Sequence, residues 1–440
     1  MTFKLFKERR QKLLELVKKN NPEVKNGAIL LMADFESYSA VFRQESSFYY
    51  FTGLSQPACA LLIGLDGKET LYIPHYGQQR DQWVSSPINA DQKTAHMYEV
   101  DEIAVWGEVT QGYTFPLLFS ADQSKLLSGK LKEILKNAGS VFCLNSPEPH
   151  ATVQQKIALG RLGNFAGFVT DDLTDISPLI AAMRRIKSKY EIELLYKAVE
   201  LTIIAQEGAA CALREGIKEY ELQAGIEYIF RESGAYPAFP AVVASGRNGT
   251  ILHHTPSAQF IKNNELVVVD IGAEVQHYCA DITRTYPASG VFTKRQRELY
   301  SIVLAAQEYI AQRAAPGYWL NNNKYPEKSL NHLVRAFLAK HKCEEYLVHS
   351  IGHFLGLDVH DVGDVNEPLQ EGDVITIEPG LYIPAEGIGI RIEDDYWIVK
   401  DGVVCLSHDL AKEPDDIEEM AQSQLDDEDE DDSGDEDDFQ

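Results

Sequence analysis

Asp270, Asp281, His353, Glu378 and Glu393 are the residues of this chain whose types and spacing point to chemistry. Asp270 and Asp281 flank a chain reversal in LVVVDIGAEVQHYCADITRTYP, with their midpoint between Val275 and Gln276. Glu378 and Glu393 flank a second reversal in VITIEPGLYIPAEGIGIRIEDDYWIV, with their midpoint between Ala385 and Glu386, beside Gly387. In a simple antiparallel hairpin, residues equidistant from the turn lie opposite each other. Each hairpin is therefore expected to present two acids side by side on one face. Like charges placed opposite destabilise a sheet, and buried carboxylates need a counter-charge. Two acid pairs are what two divalent cations neutralise, four negative charges against four positive. One Asp in a strand is ordinarily a solvated acid. Two pairs, each symmetric about its turn and set in Val/Ile-rich sequence, point instead to a two-metal hydrolase site. Carboxylate oxygens with one imidazole favour Mn²⁺ or Mg²⁺, and Zn²⁺, Co²⁺ or Fe²⁺ also suit such a set. Two ions about 3.5 Å apart can activate a water at neutral pH and clamp a tetrahedral intermediate.

Histidines form a second cluster. HSIGHFLGLDVHD places His349, His353 and His360 close together. His349 and His353 have the spacing of a helical zinc pair, but Ser350 stands where H-E-x-x-H needs its Glu. Gly352 and Gly356 also weaken a helix, so a Gly-bent loop at the edge of the sheet is expected. His253 follows the turn-rich Ser245-Gly246-Arg247-Asn248-Gly249, a loop able to hold an imidazole over a site, while His254 should face the other way. Arg391 lies two residues before Glu393 and shares its face on a strand, where it can balance charge or form an ordinary ion pair. Tyr382, four residues after Glu378, lines a pocket or packs as a plain aromatic. G-x-G-x-x-G, Walker and G-x-S-x-G loops are absent, and no cysteine sits in a nucleophile motif.

These side chains need rigid elements to hold them. The 440 residues suggest two or three domains at roughly 150 residues each. Residues 1–175 read as an α/β domain. An amphipathic helix opens it, strand-like runs follow at 28–32, 59–63 and 70–73, a helix at 125–138 and a strand at 141–144. Residues 176–412 read as an α+β domain: apolar positions at helical spacing over 179–213, helices near 219–233, 294–315 and 330–342, and the two acidic hairpins on a mostly antiparallel sheet. Helices followed by an acidic hairpin occur twice, a faint two-fold repetition. Residues 413–440 are low-complexity and acidic, and are expected to be a disordered tail.

The formal net charge is -26; removing the 16 acids of 413–440, a segment without Lys or Arg, leaves -10. That balance argues against nucleic-acid binding, although a basic partner could bind the tail. The six scattered cysteines read as reduced residues of an intracellular protein. No signal peptide or membrane-length apolar run is evident, so a cytoplasmic location is expected.

At SGRNGTILHHT, VVVDIGAEVQHYCADITRTYP, GHFLGLDVHDVG, ITIEPGLYIP and GIRIEDDYWI, the chain resembles the pita-bread metallopeptidases, most closely the aminopeptidase P family. FKERRQKLL and FRQESSFYYFTGLSQPACALLI resemble the creatinase-type, ribonuclease H-like N-terminal domain of that family. The resemblance covers about residues 3–408. It implies that Asp270 chelates one metal, that Asp281 and Glu393 bridge two, and that His353 and Glu378 complete the second. It implies attack on the peptide carbonyl by a hydroxide bridging the ions, with Glu378 as the proton shuttle. His253 and His360 then contact the substrate and stabilise the oxyanion, Arg391 balances charge, and His349 shapes a pocket for proline. The implied reaction releases an N-terminal residue that precedes proline, whose tertiary amide gives the pocket a distinct shape. A homo-oligomer, dimer or tetramer, is also implied. YGQQRDQWVSSPINADQ and PGYWLNNNKYPEKSL depart from the family pattern, which bears on oligomer contacts and substrate length. An Xaa-Pro dipeptidase shares the same ligand set, and a catalytically inactive pita-bread interaction protein with an acidic tail is the remote alternative.

Overall fold

The computed structural model describes residues 3–37, 41–78, 80–84, 88–146 and 153–422. Contacts divide the chain into two compact units, Met1–Arg184 and Arg185–Gln440.

The first unit is built on a six-stranded mixed sheet. Gly27–Met32 is central and buried along its whole length, as its unbroken apolar run requires. It runs antiparallel to Ala60–Gly64 and parallel to Ser140–Cys143. Glu69–Ile73 and Glu102–Val105 extend one side, and Thr174–Asp175 closes the other. The opening helix Lys4–Asn20 buries Phe6, Arg10, Leu13 and Val17, one stripe at helical spacing. Arg10 is buried because it pairs with Glu69 at 2.8 Å and donates to the Phe51 and Glu99 carbonyls. Lys125–Lys136 covers the sheet with Leu127, Leu131 and Ile134.

The apolar stretch expected over 179–213 is broken, and only its later part lies in the second unit. Ser177–Arg185 and Lys189–Ala212 are separate helices. Ser188 caps the second, with its backbone N–H donating to Glu191 at 2.9 Å in a capping box. The strands of this unit pair antiparallel throughout the described residues.

The first acidic hairpin has a register different from the simple expectation. Leu266–Ile271 pairs with Ile282–Pro287 so that Asp270 faces Thr283, not Asp281. Its tip pairs Val275 with Tyr278 and turns at Gln276 and His277, whose φ angles are 49° and 69°. Two central residues with positive φ define the turn that matches strand twist. The centre therefore falls one residue later than expected. Moving it by one changes every partner by two, which keeps each side chain on its face. Asp281 is thus diagonal to Asp270 rather than opposite it. Gly272 permits the local approach, because a Cβ there would lie 1.8 Å from the Ala280 carbonyl oxygen.

The second hairpin matches its expected centre. Ile377 faces Asp394 and Gly380 faces Arg391, a single register that sets Glu378 opposite Glu393. Gly387, at φ 65°, takes the left-handed position of the turn.

The two-fold repetition is fixed by a pair of buried glutamines. Gln206, on Lys189–Ala212, donates to the carbonyls of Val269 at 3.1 Å and Ile282 at 2.8 Å. Gln307, on Lys294–Ala311, donates to those of Ile377 at 3.1 Å and Ile392 at 3.3 Å. Superposing these anchors puts Asp270 on Glu378, Asp281 on Arg391 and Thr283 on Glu393. Each glutamine satisfies two carbonyls where a strand pair opens to aim its acids.

The expectation of a disordered tail from residue 413 needs correction. Pro414–Gln422 is a helix that buries Ile417 completely and Ala421 almost so. Arg297 pairs with Asp415 and Glu418 at 2.6 Å each, and Glu418 accepts the Phe292 N–H at 2.8 Å. Ile417 and Ala421 at i, i+4 give this stretch the apolar stripe that its acids obscure. Residues 423–440 lie outside the described residues. Truncation after Gln422 should leave the melting temperature unchanged. Truncation after Lys412 should cost about 2 kcal/mol, one buried isoleucine, measured by thermal unfolding.

Candidate active site

A cavity of about 330 Å³ gathers Asp270, Asp281, His353, Glu378 and Glu393, with His253, His349, His360 and Arg391 also in its wall. Asp270 is the penultimate residue of the Leu266–Ile271 strand, and Glu378 and Glu393 lie in the break between the two ladders of the second hairpin. His353 comes from the glycine-bent loop. That loop runs along Val374–Ile377, with Leu355 N–H on the Val374 carbonyl, Thr376 N–H on His353 and Glu378 N–H on Ile351, each at 2.9 Å. Gly352 is required there, because a Cβ would lie 2.0 Å from the Thr376 carbonyl oxygen.

Asp281, His353 and Glu393 each offer a ligand atom, and the three atoms lie within 4.8 Å of one another. His353 Nδ1 is 3.0 Å from the Phe354 carbonyl oxygen. That contact places the proton on Nδ1 and leaves the Nε2 lone pair for the acids. Nε2 is 3.3 Å from Asp281 Oδ2 and 3.7 Å from Glu378 Oε1. A lone pair converging with carboxylate oxygens repels them unless a proton or a metal ion sits between them. Asp270 Oδ1 is buried without a hydrogen-bond partner among the described residues, a further oxygen free to ligate. The donor set therefore fits divalent metal.

Arg391 balances part of the negative charge. It is 5% exposed, hydrogen-bonds Asp270 Oδ2 through Nη2, donates to Thr283 Oγ1 and the Tyr382 hydroxyl at 2.9 Å, and lies 3.8 Å from Glu393. Thr283 in turn donates to Glu393 at 2.7 Å. One guanidinium against four acids is insufficient. Burial, then the neighbouring Asp270, Asp395 and Glu378, push the Asp281 carboxyl well above the usual range. Burial, then Asp281, Glu378 and Asp270, do the same to Glu393. Burial also raises Glu378, with His353 and Arg391 opposing.

The histidines divide by partner. His349 accepts the Tyr382 hydroxyl at 2.9 Å on Nε2 and donates to the Ser350 carbonyl at 2.7 Å from Nδ1. Burial lowers its pKa to about 4, so it is neutral at pH 7. Tyr382 itself is buried and joins His349 to Arg391, packing behind the cavity wall. Burial raises its pKa to about 12. His360 stacks on His353 at 4.0 Å between ring centroids, and burial, aided by His353 and His253, lowers it to about 4. His254 turns away from the cavity and bonds Glu219 at 2.8 Å.

Sequence reasoning passed over Thr283 and Asp395. Thr283 lies two residues after Asp281, and Asp395 two after Glu393. The same period of two that selected Arg391 marks them both. Asp395 is fully buried and accepts the Asp281 N–H at 3.2 Å.

The fold is that of known proteins. The family model of metallopeptidase family M24 matches residues 193–400, and that of the aminopeptidase P N-terminal domain matches residues 6–118. The chain belongs to this metallopeptidase family, in its two-domain form with an aminopeptidase P N-terminal domain and a pita-bread domain. It is 30% identical to the Xaa-Pro aminopeptidase of Escherichia coli K12, covering 94% of this chain and 97% of that protein. It is 32% identical to the Xaa-Pro dipeptidase of Pyrococcus horikoshii, covering 87% of this chain and 95% of that protein. A variant of Escherichia coli aminopeptidase P in complex with substrate matches at a TM-score of 0.80 and 28% identity, over 97% of this chain and 99% of that one. The zinc-substituted enzyme in complex with product matches at 0.78 and 29%, over 96% and 99%. Among the described residues, no helix is long and apolar enough to cross a membrane.

Proposed function

We propose that this chain is an Xaa-Pro aminopeptidase, a metallo-exopeptidase releasing the N-terminal residue of peptides with proline in second place. The convergence of Asp281, His353 and Glu393 within one buried acidic cavity carries this reading. Asp270, Asp281, His353, Glu378 and Glu393 would hold two divalent ions, with Mn²⁺ as the metal. Bound there, the ions supply Lewis acidity and lower the pKa of water.

The chain's own residues do the rest. Glu378, half-buried and raised in its proton affinity, takes a proton from the attacking water and returns it to the leaving amine. His253 and His360 meet the substrate and stabilise the developing oxyanion. His349, held neutral between Tyr382 and Ser350, gives the proline ring a wall without charge. Arg391 fixes Asp270 and Glu393 against each other. Residues 1–175 act as the N-terminal domain to a catalytic domain of 176–412. A cytoplasmic site of action is consistent with six free cysteines. A homo-oligomer, and a basic partner for the acidic tail of residues 413–440, belong to the same proposal.

Xaa-Pro dipeptidase is the second reading, supported by the comparable identity to the Pyrococcus horikoshii enzyme. Hydrolysis of Xaa-Pro and Xaa-Pro-Xaa by Mn²⁺-loaded protein separates the two. Cleavage of the tripeptide before proline is the expected result. Cleavage of the dipeptide alone makes it a dipeptidase. If metal-loaded protein cuts neither, the inactive interaction protein takes precedence.

A further inference from the structure

Glu219 is the first residue of the helix Glu219–Glu232 and is fully buried, yet no cation of Lys or Arg pairs with it among the described residues. Six donors converge on its carboxylate. Oε1 accepts the Ser245 N–H and hydroxyl at 2.8 Å each and the Asn248 amide at 3.0 Å. Oε2 accepts His254 Nε2 at 2.8 Å, the Ser257 N–H at 3.0 Å and the Ser257 hydroxyl at 2.6 Å. Burial opposes ionisation, but the donors from Ser257, Asn248, Ser245 and His254 outweigh it and hold the carboxyl at about 2. The carboxylate is therefore charged across the neutral range, which suits the Ser245 and Ser257 N–H groups and the Asn248 amide, donors that cannot reverse.

Every donor belongs to residues 245–257, and that segment carries Leu252 and His253 into the cavity wall. The segment forms a short 3₁₀ turn at Gly246–Thr250, and Ile251 is 53% exposed. The turn also packs against Ile388–Arg391, and Ser245 pairs with Val267 in the sheet, so the clamp acts on the stretch beyond them. The turn's tightest backbone contact is Gly249 against Gly389, where a Cβ on Gly389 would lie 1.9 Å from the Gly249 carbonyl oxygen. His254 is anchored directly beside His253. With its neighbour pulled toward Glu219, the His253 ring is directed to the opposite side, into the cavity.

We propose that Glu219 is the positioning residue for His253, acting on peptide cleavage through the 245–257 segment and not through the metal ligands. The inference rests on the reading in which His253 meets the substrate. Asn, Ser and His donors on one carboxylate form a clamp that a glutamine cannot reproduce. Its amide would oppose the N–H of either Ser245 or Ser257, neither of which can reverse to accept.

The test is a double-mutant cycle in full-length, Mn²⁺-loaded protein, with an Xaa-Pro-Xaa peptide as substrate and metal content and amide exchange as separate readouts. Glu219→Gln should lower kcat/KM by roughly 10- to 100-fold, the scale of losing a supporting hydrogen-bond partner, with metal content unchanged. Exchange should quicken in 246–257 and stay slow in Leu266–Ile271. In a His253→Ala background, Glu219→Gln should cost almost nothing more, because the two act as a unit. Full additivity overturns the proposal, as does wild-type activity in Glu219→Gln. A silent His253→Ala removes the residue Glu219 is said to serve and overturns it too. Wild-type protein that cuts no peptide fails at the earlier reading instead, and leaves amide exchange to judge the clamp: unchanged exchange in 246–257 overturns it. If Glu219→Gln does not fold, Ser257→Ala deletes a single donor and must show the same non-additivity with His253→Ala.

Discussion

Replacing Asp281 with asparagine should abolish peptide cleavage and metal uptake while raising the melting temperature of the metal-free protein. Asp281 is 6% exposed and meets His353 at 3.3 Å, in a cavity that also holds Asp270, Glu378 and Glu393. Without metal, burial and the charges of Asp270, Asp395 and Glu378 all act against its ionised form. Asparagine keeps the shape and removes that repulsion. A gain on the order of 1 kcal/mol is expected, the usual scale when a strained active site is relaxed. The loss of function should be at least about 10²-fold, since even supporting partners of ligands cost up to that much. Thermal unfolding in chelator and metal content by elemental analysis give the two readings. A variant that still loads metal and cleaves at near wild-type rates would remove Asp281 from the site. A melting temperature that falls in chelator would show that the acids are not in net repulsion.

The sequence disclosed this site unevenly, for physical reasons. The second hairpin was legible because Gly387 marks the left-handed position of its turn. The first was not, because Gln276 and His277 take positive φ without glycine or asparagine to announce it. Its acids stayed on one face only because strands repeat every two residues. The faint two-fold repetition was visible as helix and hairpin order, but its hinge was not. A buried glutamine has no periodic signature, and Gln206 and Gln307 are known only by the carbonyls they reach. Glu219 was passed over for the same reason. It sits at a helix start, where an acid is ordinary, and only its six donors distinguish it. Composition misled at the end of the body, where the acids of 413–422 hid a helix that buries Ile417.

Arg391→Met should do the opposite of Asp281→Asn, destabilising the metal-free protein strongly and leaving metal able to repair most of the loss. Among the described residues the guanidinium is the sole Lys or Arg in the cavity wall, placed against Asp270 and within 3.8 Å of Glu393. Removing one partner of a buried ion pair costs about 3–5 kcal/mol, because the other charge stays buried. Here four acids remain, and the Tyr382 hydroxyl and Thr283 lose a donor as well. Divalent cations supply positive charge to the same oxygens. At 100 times the dissociation constant, binding to the folded state alone adds about 2.7 kcal/mol. The fall in melting temperature should therefore be large in chelator and small in saturating Mn²⁺. Arg391→Lys should recover part of the metal-free stability but less of the activity, because a point charge can meet Asp270 without also reaching Thr283 and Tyr382. Equal losses with and without Mn²⁺ would mean that Arg391 serves packing alone. The charge account would then fail, although the ligand geometry would stand. The paired signs are the stronger test: removing an acid stabilises the metal-free cavity, removing the cation destabilises it, and metal reverses the order only if both act on one shared field.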